Sequence, residues 1–333
     1  MNNLIIAKNY ETFGDAGLTS NKVIYYKEDN MVKFRANITD NPYGDSEVVT
    51  VSGALEAVLK GQKEEIVLPI GLENLQYLFY NNDSVKKVTI PNEYNNKFMH
   101  HIFEGASNLS EVNLPSNLPT IYESMFQNCS SLANIELPNT VSTIGKNSFY
   151  NCAFTILDFL PTSITSIGQS AFGKTKITNA DLSNLTNLTT IETGAFSNTP
   201  LTSVNLSGTK ITTISSIFSN CNYLSNVILP NTCTAIYSNA FQNCTALTKI
   251  DIPNSVTTIS NNAFSTATNL VEVNFGNSRT TVTSISTNSF KATTSNLKFI
   301  VPDDMYDTWK AANVWNTTNY VNKIVRYSDY YNE

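Results

Sequence analysis

The chain has 333 residues, of which only 14% are charged, and it carries a formal net charge of −6 at pH 7. This acidic balance and the lack of any polybasic run argue against a nucleic-acid partner and against binding to an anionic membrane surface. No stretch is apolar over the length of a bilayer, so we expect no membrane insertion. Uncharged Ser, Thr and Asn residues are abundant, which favours extended structure with polar faces.

Residues 1–63 are predicted to form a separate N-terminal α+β region. Val23–Lys27 and Met31–Ile38 alternate in polarity around a turn and predict a β-hairpin. Val48–Val51 predicts a further strand, and Ala54–Lys60 predicts a short helix. Two roles are open for this region: a cap over the first repeat of the segment that follows, or an attachment region for another protein.

The first residues, Met1–Gly14, contain only one short apolar run. That run is too short for the apolar core of a secretory signal peptide. We therefore expect either that a signal has been removed or that the protein reaches its place without secretion, as a component of a virus particle would.

Residues 64–302 contain a sequence repeat of about 23 residues. A fixed period of this length is typical of stacked repeats, in which no single repeat can bury its apolar face alone. The repeat is most visible in its phenylalanines, which are Phe79, Phe103, Phe126, Phe149, Phe172, Phe196, Phe218, Phe241, Phe264 and Phe290.

Other positions of the repeat carry their own pattern. Isoleucine often stands five residues before the Phe, and Asn often stands two residues after it. A phrase of the form L-x-x-V-x-L-P follows, as in Leu247–Pro253; its alternation predicts a short strand that the proline ends. The Asn position has two interpretations: an Asn ladder, in which each side-chain amide bonds the backbone of a turn or of the next repeat, or ordinary turn chemistry.

The segment from Ile236 to Ile259 reads IYSNAFQNCTALTKIDIPNSVTTI. It resembles the BspA-like, Treponema pallidum-type leucine-rich repeat, and the likeness extends over about residues 64–302. The resemblance implies a β-rich solenoid: a right-handed coil of about ten repeats with one parallel sheet, an N-terminal α+β cap and a C-terminal helix and strand cap. Three repeats depart from the pattern, because Ser183, Ser207 and Gly276 replace the proline that ends the strand.

The chain has five cysteines, and four of them occupy the same position of the repeat: Cys129, Cys152, Cys221 and Cys244. The fifth, Cys233, stands where other repeats have valine. We expect all five to be buried, unpaired small hydrophobic residues, because an odd count at repeat spacing does not resemble a disulfide framework.

Residues 303–333 are predicted to be a C-terminal cap. Asp303 and Asp304 suit the start of a helix, Trp309 lies on its predicted inward side, and Tyr320–Tyr327 alternates like a final strand. The tail Tyr327–Glu333 is aromatic and acidic, and it is a candidate docking segment for another chain.

No combination of residues predicts catalysis. The two histidines, His100 and His101, are adjacent, and neighbouring residues of an extended segment point in opposite directions. Neither a nucleophile motif, nor a metal-binding motif, nor a phosphate-binding glycine loop occurs in the sequence. We therefore predict a protein that is not an enzyme and that needs no cofactor or metal.

The predicted binding surface is the outward side of the sheet. In each V-x-L phrase the middle residue points away from the core. Glu136, Asp158 and Asp181 stand on successive repeats, so we expect them to attract a cation or a basic partner, or else to be solvated. We call the full set the candidate row; it comprises Asn113, Glu136, Asp158, Asp181, Asn205, Asp251 and Asn274.

Two functions are consistent with these features. The resemblance implies a non-enzymatic scaffold of the surface-adhesion type, which recognises a protein or glycan partner on the sheet face. The alternative is a structural component of a larger assembly, such as a phage virion or a surface appendage, anchored through residues 1–63 and the tail Tyr327–Glu333. The corresponding locations are an extracellular surface or a virion.

Overall fold

The protein is described by a computed structural model. The described residues are 3–6, 22–28, 31–36, 48–50, 65–68, 75–94, 99–317 and 319–331. The predicted helix at Ala54–Lys60 lies outside these ranges. Within the described ranges, no helix is long and apolar enough to cross a bilayer. The chain divides into two compact units. Unit 1 comprises Met1–Phe154 and Phe159–Pro161, and unit 2 comprises Thr155–Asp158 and Thr162–Glu333.

Unit 1 contains a seven-stranded sheet of order β4-β1-β2-β3-β5-β6-β7 and a separate parallel pair, β8 and β9. Its strands are β1 (Asn3–Ile6), β2 (Lys22–Glu28), β3 (Met31–Ala36), β4 (Val48–Thr50), β5 (Glu65–Val67), β6 (Lys87–Thr89), β7 (Glu111–Asn113), β8 (Thr120–Ile121) and β9 (Thr143–Ile144). β2 and β3 pair antiparallel where the alternation predicts a hairpin. β3 pairs parallel with β5, so the N-terminal strands continue into the sheet formed by the repeats.

Unit 2 is a stack of parallel strands closed by two short helices. Its strands are β10 (Ser166–Ile167), β11 (Asn179–Asp181), β12 (Thr190–Ile191), β13 (Ser203–Asn205), β14 (Thr213–Ile214), β15 (Asn226–Ile228), β16 (Ala235–Ile236), β17 (Lys249–Asp251), β18 (Thr258–Ile259), β19 (Glu272–Asn274), β20 (Ser284–Ile285), β21 (Lys298–Val301) and β22 (Ile324–Arg326). The helices are α1 (Tyr306–Ala311) and α2 (Tyr327–Tyr331), with short 3-10 helices at Asn92–Tyr94 in unit 1 and at Asp303–Met305, Val314–Asn316 and Val321–Lys323 in unit 2. Sheets of order β11-β13-β15, β14-β16-β18-β20 and β17-β19-β21-β22 result, and β10 pairs with β12.

Each unit is therefore a parallel-strand solenoid, as the resemblance implies. The predicted sheet is formed by three-residue strands such as β13, whose central Val204 is buried. The two-residue strands are an addition that the sequence did not predict: they carry the recurring isoleucine, such as Ile214, and pair in register with the same residue of the next repeat. Residues 134–137 and 155–158 form no such three-residue strand, and the second stretch precedes the extra residue Leu160.

The recurring phenylalanines stack on one another inside both units. In unit 1 the ring centroids of Phe126 and Phe149 are 5.4 Å apart and their planes differ by 2°. In unit 2 the rings of Phe264 and Phe290 are 5.1 Å apart with the same 2° angle. Such pairs add about 0.5–1.5 kcal/mol beyond their burial. Within each unit, the same side chain at the same position of each repeat therefore forms one stacked core, as predicted.

The Asn position combines a turn conformation with a ladder, but the ladder bonds join two side chains and not a side chain and the backbone. Asn128 and Asn243 have φ values of 63° and 61°, a left-handed conformation that Asn tolerates better than most residues. Their side chains also bond between repeats. Asn151 Nδ2 donates to Asn128 Oδ1 at 3.0 Å, and Asn243 Nδ2 donates to Asn220 Oδ1 at 2.6 Å. The turn conformation and the amide ladder therefore depend on the same side chain.

The C-terminal residues cover the apolar end of the last repeats. Trp309 and Trp315 are buried, with ring centroids 4.5 Å and 5.8 Å from that of Phe275. β22 adds to the sheet beside β21, but this strand is shorter than the predicted Tyr320–Tyr327. The prediction of free, buried cysteines is confirmed for all five.

Candidate ligand-binding face

The three-residue strands present two outward rows of side chains. In β7, Val112 is buried, whereas Glu111 and Asn113 on either side of it are exposed. The candidate row contains only the second of these outward positions. The residue two positions earlier also faces outward, and sequence reasoning missed it because it considered the alternation only after the buried valine. We call this second set the adjacent row; it includes Lys87, Glu111, Asn179, Ser203, Asn226, Lys249 and Glu272.

Amide groups bridge successive members of the candidate row. Asn274 Nδ2 donates to Asp251 Oδ1 at 2.8 Å, from one strand to the next. Asn113 Nδ2 donates in the same way to Thr89 Oγ1 at 2.9 Å. Each of these side chains is therefore held in place by a hydrogen bond to the neighbouring repeat.

Asp181 is stabilised as a carboxylate by its neighbours. The Ser183 hydroxyl donates to Asp181 Oδ1 at 2.7 Å, and the Ser183 N–H donates to the same atom at 3.1 Å. These bonds, together with a hydrogen bond from the side chain of Asn205, lower the pKa of Asp181 below its ordinary value. The residue opposite Asp181 on the neighbouring strand is Asn205, so its neighbour there is an amide.

The expected attraction of Glu136, Asp158 and Asp181 for a cation finds no prepared site. Among the described residues, no group of three His, Cys, Asp or Glu side chains is arranged to hold a metal ion. All three carboxylates are exposed. A basic partner and a solvated acidic surface both stay predictions for these three carboxylates.

Two depressions lie on this face, one in each unit. The larger, of about 670 Å³, is lined by Glu111, Asn113 and Glu136, among others. The smaller, of about 260 Å³, is lined by Asp251 and Asn274, among others. Four residues of the candidate row thus line a depression, and each depression also has apolar lining from the strands beneath it.

The adjacent row contains two ion pairs of the same kind. Lys87 Nζ lies 2.9 Å from Glu111 Oε1 in unit 1. Lys249 Nζ lies 2.7 Å from Glu272 Oε1 in unit 2. In both cases the two residues are directly opposite each other on neighbouring parallel strands.

The C-terminal tail contacts the second of these ion pairs. Tyr330 and Tyr331, in α2, donate hydrogen bonds from their hydroxyls to the two carboxylate oxygens of Glu272. Sequence analysis treats this tail as a docking segment for another chain, whereas the structure shows it docked on its own chain. The partner residue lies 58 residues away from Tyr330, so no local pattern indicates it.

The two histidines do not form a joint site. His101 Nδ1 lies 2.5 Å from Glu104 Oε2, and its ring stacks on Tyr77 with centroids 4.7 Å apart. His100 instead packs against Tyr122, with ring centroids 5.1 Å apart. The segment is a turn in which His101 has a φ of 58°, and the two ring centroids are 6.5 Å apart, so the extended geometry expected for the pair is wrong.

Several solved structures are similar to this chain at less than 20% identity. A leucine-rich repeat protein from Bacteroides ovatus shares 18% identity, with 94% of this chain and 99% of that one covered and a TM-score of 0.37. The pneumococcal vaccine antigen PcpA shares 16% identity over 92% and 96%, with a TM-score of 0.43. The T. pallidum leucine-rich repeat protein shares 18% identity over 85% and 90%, with a TM-score of 0.22.

No curated protein shows significant similarity to the sequence. The sequence does match the family described as BspA type leucine rich repeat region, with six copies, over residues 96–217 and 189–312. These matches cover more than half of the chain. The repeat period, the stacked phenylalanines and this match agree, and the chain belongs to the BspA type leucine-rich repeat family.

Proposed function

We propose that this protein is a non-enzymatic scaffold of the surface-adhesion type, which recognises a protein or glycan partner through the outward face of its three-residue strands. Leucine-rich repeat proteins generally bind protein partners, and a solenoid offers one surface built from many repeats. The chain's family and fold are typically non-enzymatic.

The observation that carries the proposal is the depression beside Glu111, Asn113 and Glu136. Its polar groups are held before any ligand arrives, because Asn113 bonds to Thr89 and Glu111 pairs with Lys87. Side chains that are already ordered lose less conformational entropy on binding, so more of the contact energy contributes to affinity.

The chemistry of the face suits peptide groups and sugar hydroxyls. The face combines amides such as Asn113, hydroxyls such as Ser203 and carboxylates such as Asp251, so it can both donate and accept hydrogen bonds. Ile228 is 44% exposed within the same row and adds an apolar contact. The net charge of −6 works against a polyanionic ligand.

The alternative function, a structural part of a virion or surface appendage, would use residues 1–63 and the tail Tyr327–Glu333 as anchors. The described part of the tail is engaged by Glu272 of its own chain. This contact supports recognition through the face in preference to anchoring through the tail.

The test is a binding screen of the full chain against a panel of immobilised extracellular-matrix proteins and a glycan array. The face variant carries Glu136→Lys and Asp251→Lys. The control carries the same charge change at Glu123→Lys and Glu192→Lys, beside the two-residue strands and away from the three-residue ones. We expect the wild type and the control to bind a component that the face variant does not bind. Equal binding by both variants would contradict the proposal, provided that circular dichroism shows both to be folded.

A further inference from the structure

The C-terminal helix shows what one part of the face binds. In unit 2, Tyr331 donates from its hydroxyl to Glu272 Oε1, and Tyr330 donates to Glu272 Oε2 at 3.3 Å. Lys249 Nζ donates to the Tyr331 hydroxyl at 3.2 Å and lies 5.4 Å from the centre of that ring. One phenol group therefore donates to the carboxylate and accepts from the ammonium of the same ion pair.

Unit 1 carries the same arrangement of side chains in the same strand register. Lys87 lies opposite Glu111, as Lys249 lies opposite Glu272. The N–O distances of the two pairs, 2.9 Å and 2.7 Å, are similar. Two residues farther along each strand, an asparagine amide bridges to the preceding repeat, at 2.9 Å for Asn113 and 2.8 Å for its counterpart in unit 2.

The two carboxylates differ in exposure. The Glu272 side chain is only 12% exposed beneath the tail, whereas the Glu111 side chain is 54% exposed. Glu111 and Asn113 also line the depression of about 670 Å³, which has room for an aromatic side chain. The Glu111 carboxylate in unit 1 is thus exposed, whereas the tail phenols cover its counterpart, Glu272, in unit 2.

We propose that Lys87, Glu111 and Asn113 form a docking site for a tyrosine-bearing segment of a partner protein. The tyrosine hydroxyl donates to the Glu111 carboxylate and accepts from the Lys87 ammonium, and its ring enters the depression. This inference rests on the proposed function and names the chemistry of the partner.

Tyrosine fits this site better than related side chains. Phenylalanine has no hydroxyl to donate to Glu111, and a phosphorylated tyrosine would bring negative charge to a carboxylate. Tyrosine also combines a large apolar surface with a polar end, which makes it frequent among the residues that dominate protein interfaces. In unit 2, burial and the contact with Glu272 raise the pKa of Tyr331 to about 12, so its hydroxyl stays protonated and remains a donor at neutral pH.

The test uses a fluorescein-labelled peptide with the sequence of residues 324–331, IVRYSDYY, titrated with the full chain and followed by fluorescence anisotropy. A matched peptide ends in Phe-Phe. We expect the tyrosine peptide to bind about tenfold more tightly, as the loss of hydrogen bonds to a charged group implies. Glu111→Gln should reduce the affinity to that of the phenylalanine peptide, while the control Glu123→Gln, in the same unit, leaves it unchanged.

A second variant excludes the tail's own position as the binding site. Glu272→Gln weakens the contact of α2 with unit 2, and we expect it to leave peptide binding at Glu111 unaffected.

The proposal is overturned if Glu272→Gln changes peptide binding and Glu111→Gln does not, or if both peptides bind equally. It is also overturned if sedimentation shows a dimer that Glu111→Gln and Tyr331→Phe both abolish, because the occupant would then be a second copy of this chain. If the tyrosine peptide does not bind, but Glu136→Lys and Asp251→Lys still abolish binding in the panel screen, this site is ruled out and the proposed function is retained.

Discussion

The Cys152 thiol donates a hydrogen bond to the backbone carbonyl of Phe126, 3.0 Å away in the preceding repeat. Cys129, Cys221 and Cys244 bond in the same way to the phenylalanine carbonyl of the repeat before them. The cysteine position is thus more than a small apolar filler. The thiol is a second donor to a carbonyl that also accepts a hydrogen bond within its own repeat, and it connects each repeat to the previous one.

Replacing Cys244 by alanine should lower the free energy of unfolding by roughly 1–2 kcal/mol, through the lost hydrogen bond and a small cavity. Cys244→Thr should cost less, because a hydroxyl at this position keeps a hydrogen bond: Thr199, at the same repeat position, donates to the carbonyl of Phe196 in its own repeat. Urea unfolding followed by circular dichroism measures both values. Equal losses for the two variants would show that the hydrogen bond contributes nothing.

Stability should fall in alkaline solution because of the buried thiols. Burial raises the pKa of Cys233 to about 11, from an ordinary value of 9.0. Below pH 9 the thiol is protonated in both states and has no effect. Between pH 9 and about 11 the unfolded chain releases a proton that the folded chain keeps, so stability decreases by about 1.4 kcal/mol per pH unit for each such thiol.

Cys233→Val isolates one of these contributions, because Val141 and Val256 occupy the same repeat position. We expect the stability of this variant to decline less steeply than that of the wild type between pH 9 and 10.5, by about 1.4 kcal/mol per pH unit. Urea unfolding at several pH values provides the comparison. Parallel curves for the two proteins would rule out titration of this thiol as a cause.

The two roles of the Asn position can be separated at Asn243, whose φ is 61°. Asn243→Gly keeps the left-handed conformation and loses the side-chain hydrogen bonds with Asn220 and Thr266, so we expect a cost of about 1 kcal/mol. Asn243→Ala also adopts an unfavourable backbone conformation, and we expect about 2 kcal/mol. Chemical denaturation measures the free energy of unfolding of both variants. If Asn243→Ala is at least as stable as Asn243→Gly, the left-handed conformation is not a reason for asparagine at this position.

The core of this fold could be predicted because it depends on one period. Once Phe126 and Phe149 are seen to recur at a constant spacing, stacking follows from the geometry of repeats. The two-residue strands could not be predicted in this way. A pair such as Thr213–Ile214 is too short to show an alternation, and its pairing depends on the next repeat being extended at the same place.

The binding face was predicted only in part. The outward position of Asn113 follows from the alternation along the strand. The outward position of Glu111 follows from the same alternation and could have been predicted from the residue on the other side of Val112. The contact of Tyr331 with Glu272 depends on how the tail folds back over distant strands. No sequence period contains that information.

Arg279 is a buried cation that binds backbone carbonyls. It is 2% exposed, and its guanidinium donates to Val256 O at 2.7 Å, to Ile252 O at 3.3 Å and to Pro253 O. It also donates to Thr283 Oγ1 at 2.9 Å. This side chain lies in the longer last repeat and ties that repeat to the one before it.

Replacing Arg279 by methionine should lower the free energy of unfolding by about 2–3 kcal/mol, because it removes several charge-assisted hydrogen bonds to buried acceptors. Arg279→Lys should recover only part of this loss, since an ammonium has fewer donors and no planar fork. The exposed Lys291→Met is the control, with an expected change within about 0.5 kcal/mol. A methionine variant as stable as that control would show that the buried charge costs as much as its bonds contribute.

The two tryptophans of the C-terminal cap offer a matched pair. Trp315 Nε1 donates to Thr283 O at 2.6 Å, whereas Trp309 Nε1 is buried with no hydrogen-bond partner in the described part of the chain. Both side chains are buried, so substitution by phenylalanine removes the same volume from each. The Trp315→Phe variant should therefore be less stable than Trp309→Phe by about 1–2 kcal/mol, because only Trp315→Phe leaves a carbonyl without its donor while Trp309→Phe removes an unsatisfied group. Circular dichroism in urea measures the difference without relying on the fluorescence of the residues being replaced, and a reversed order would contradict the assignment of these two hydrogen-bonding environments.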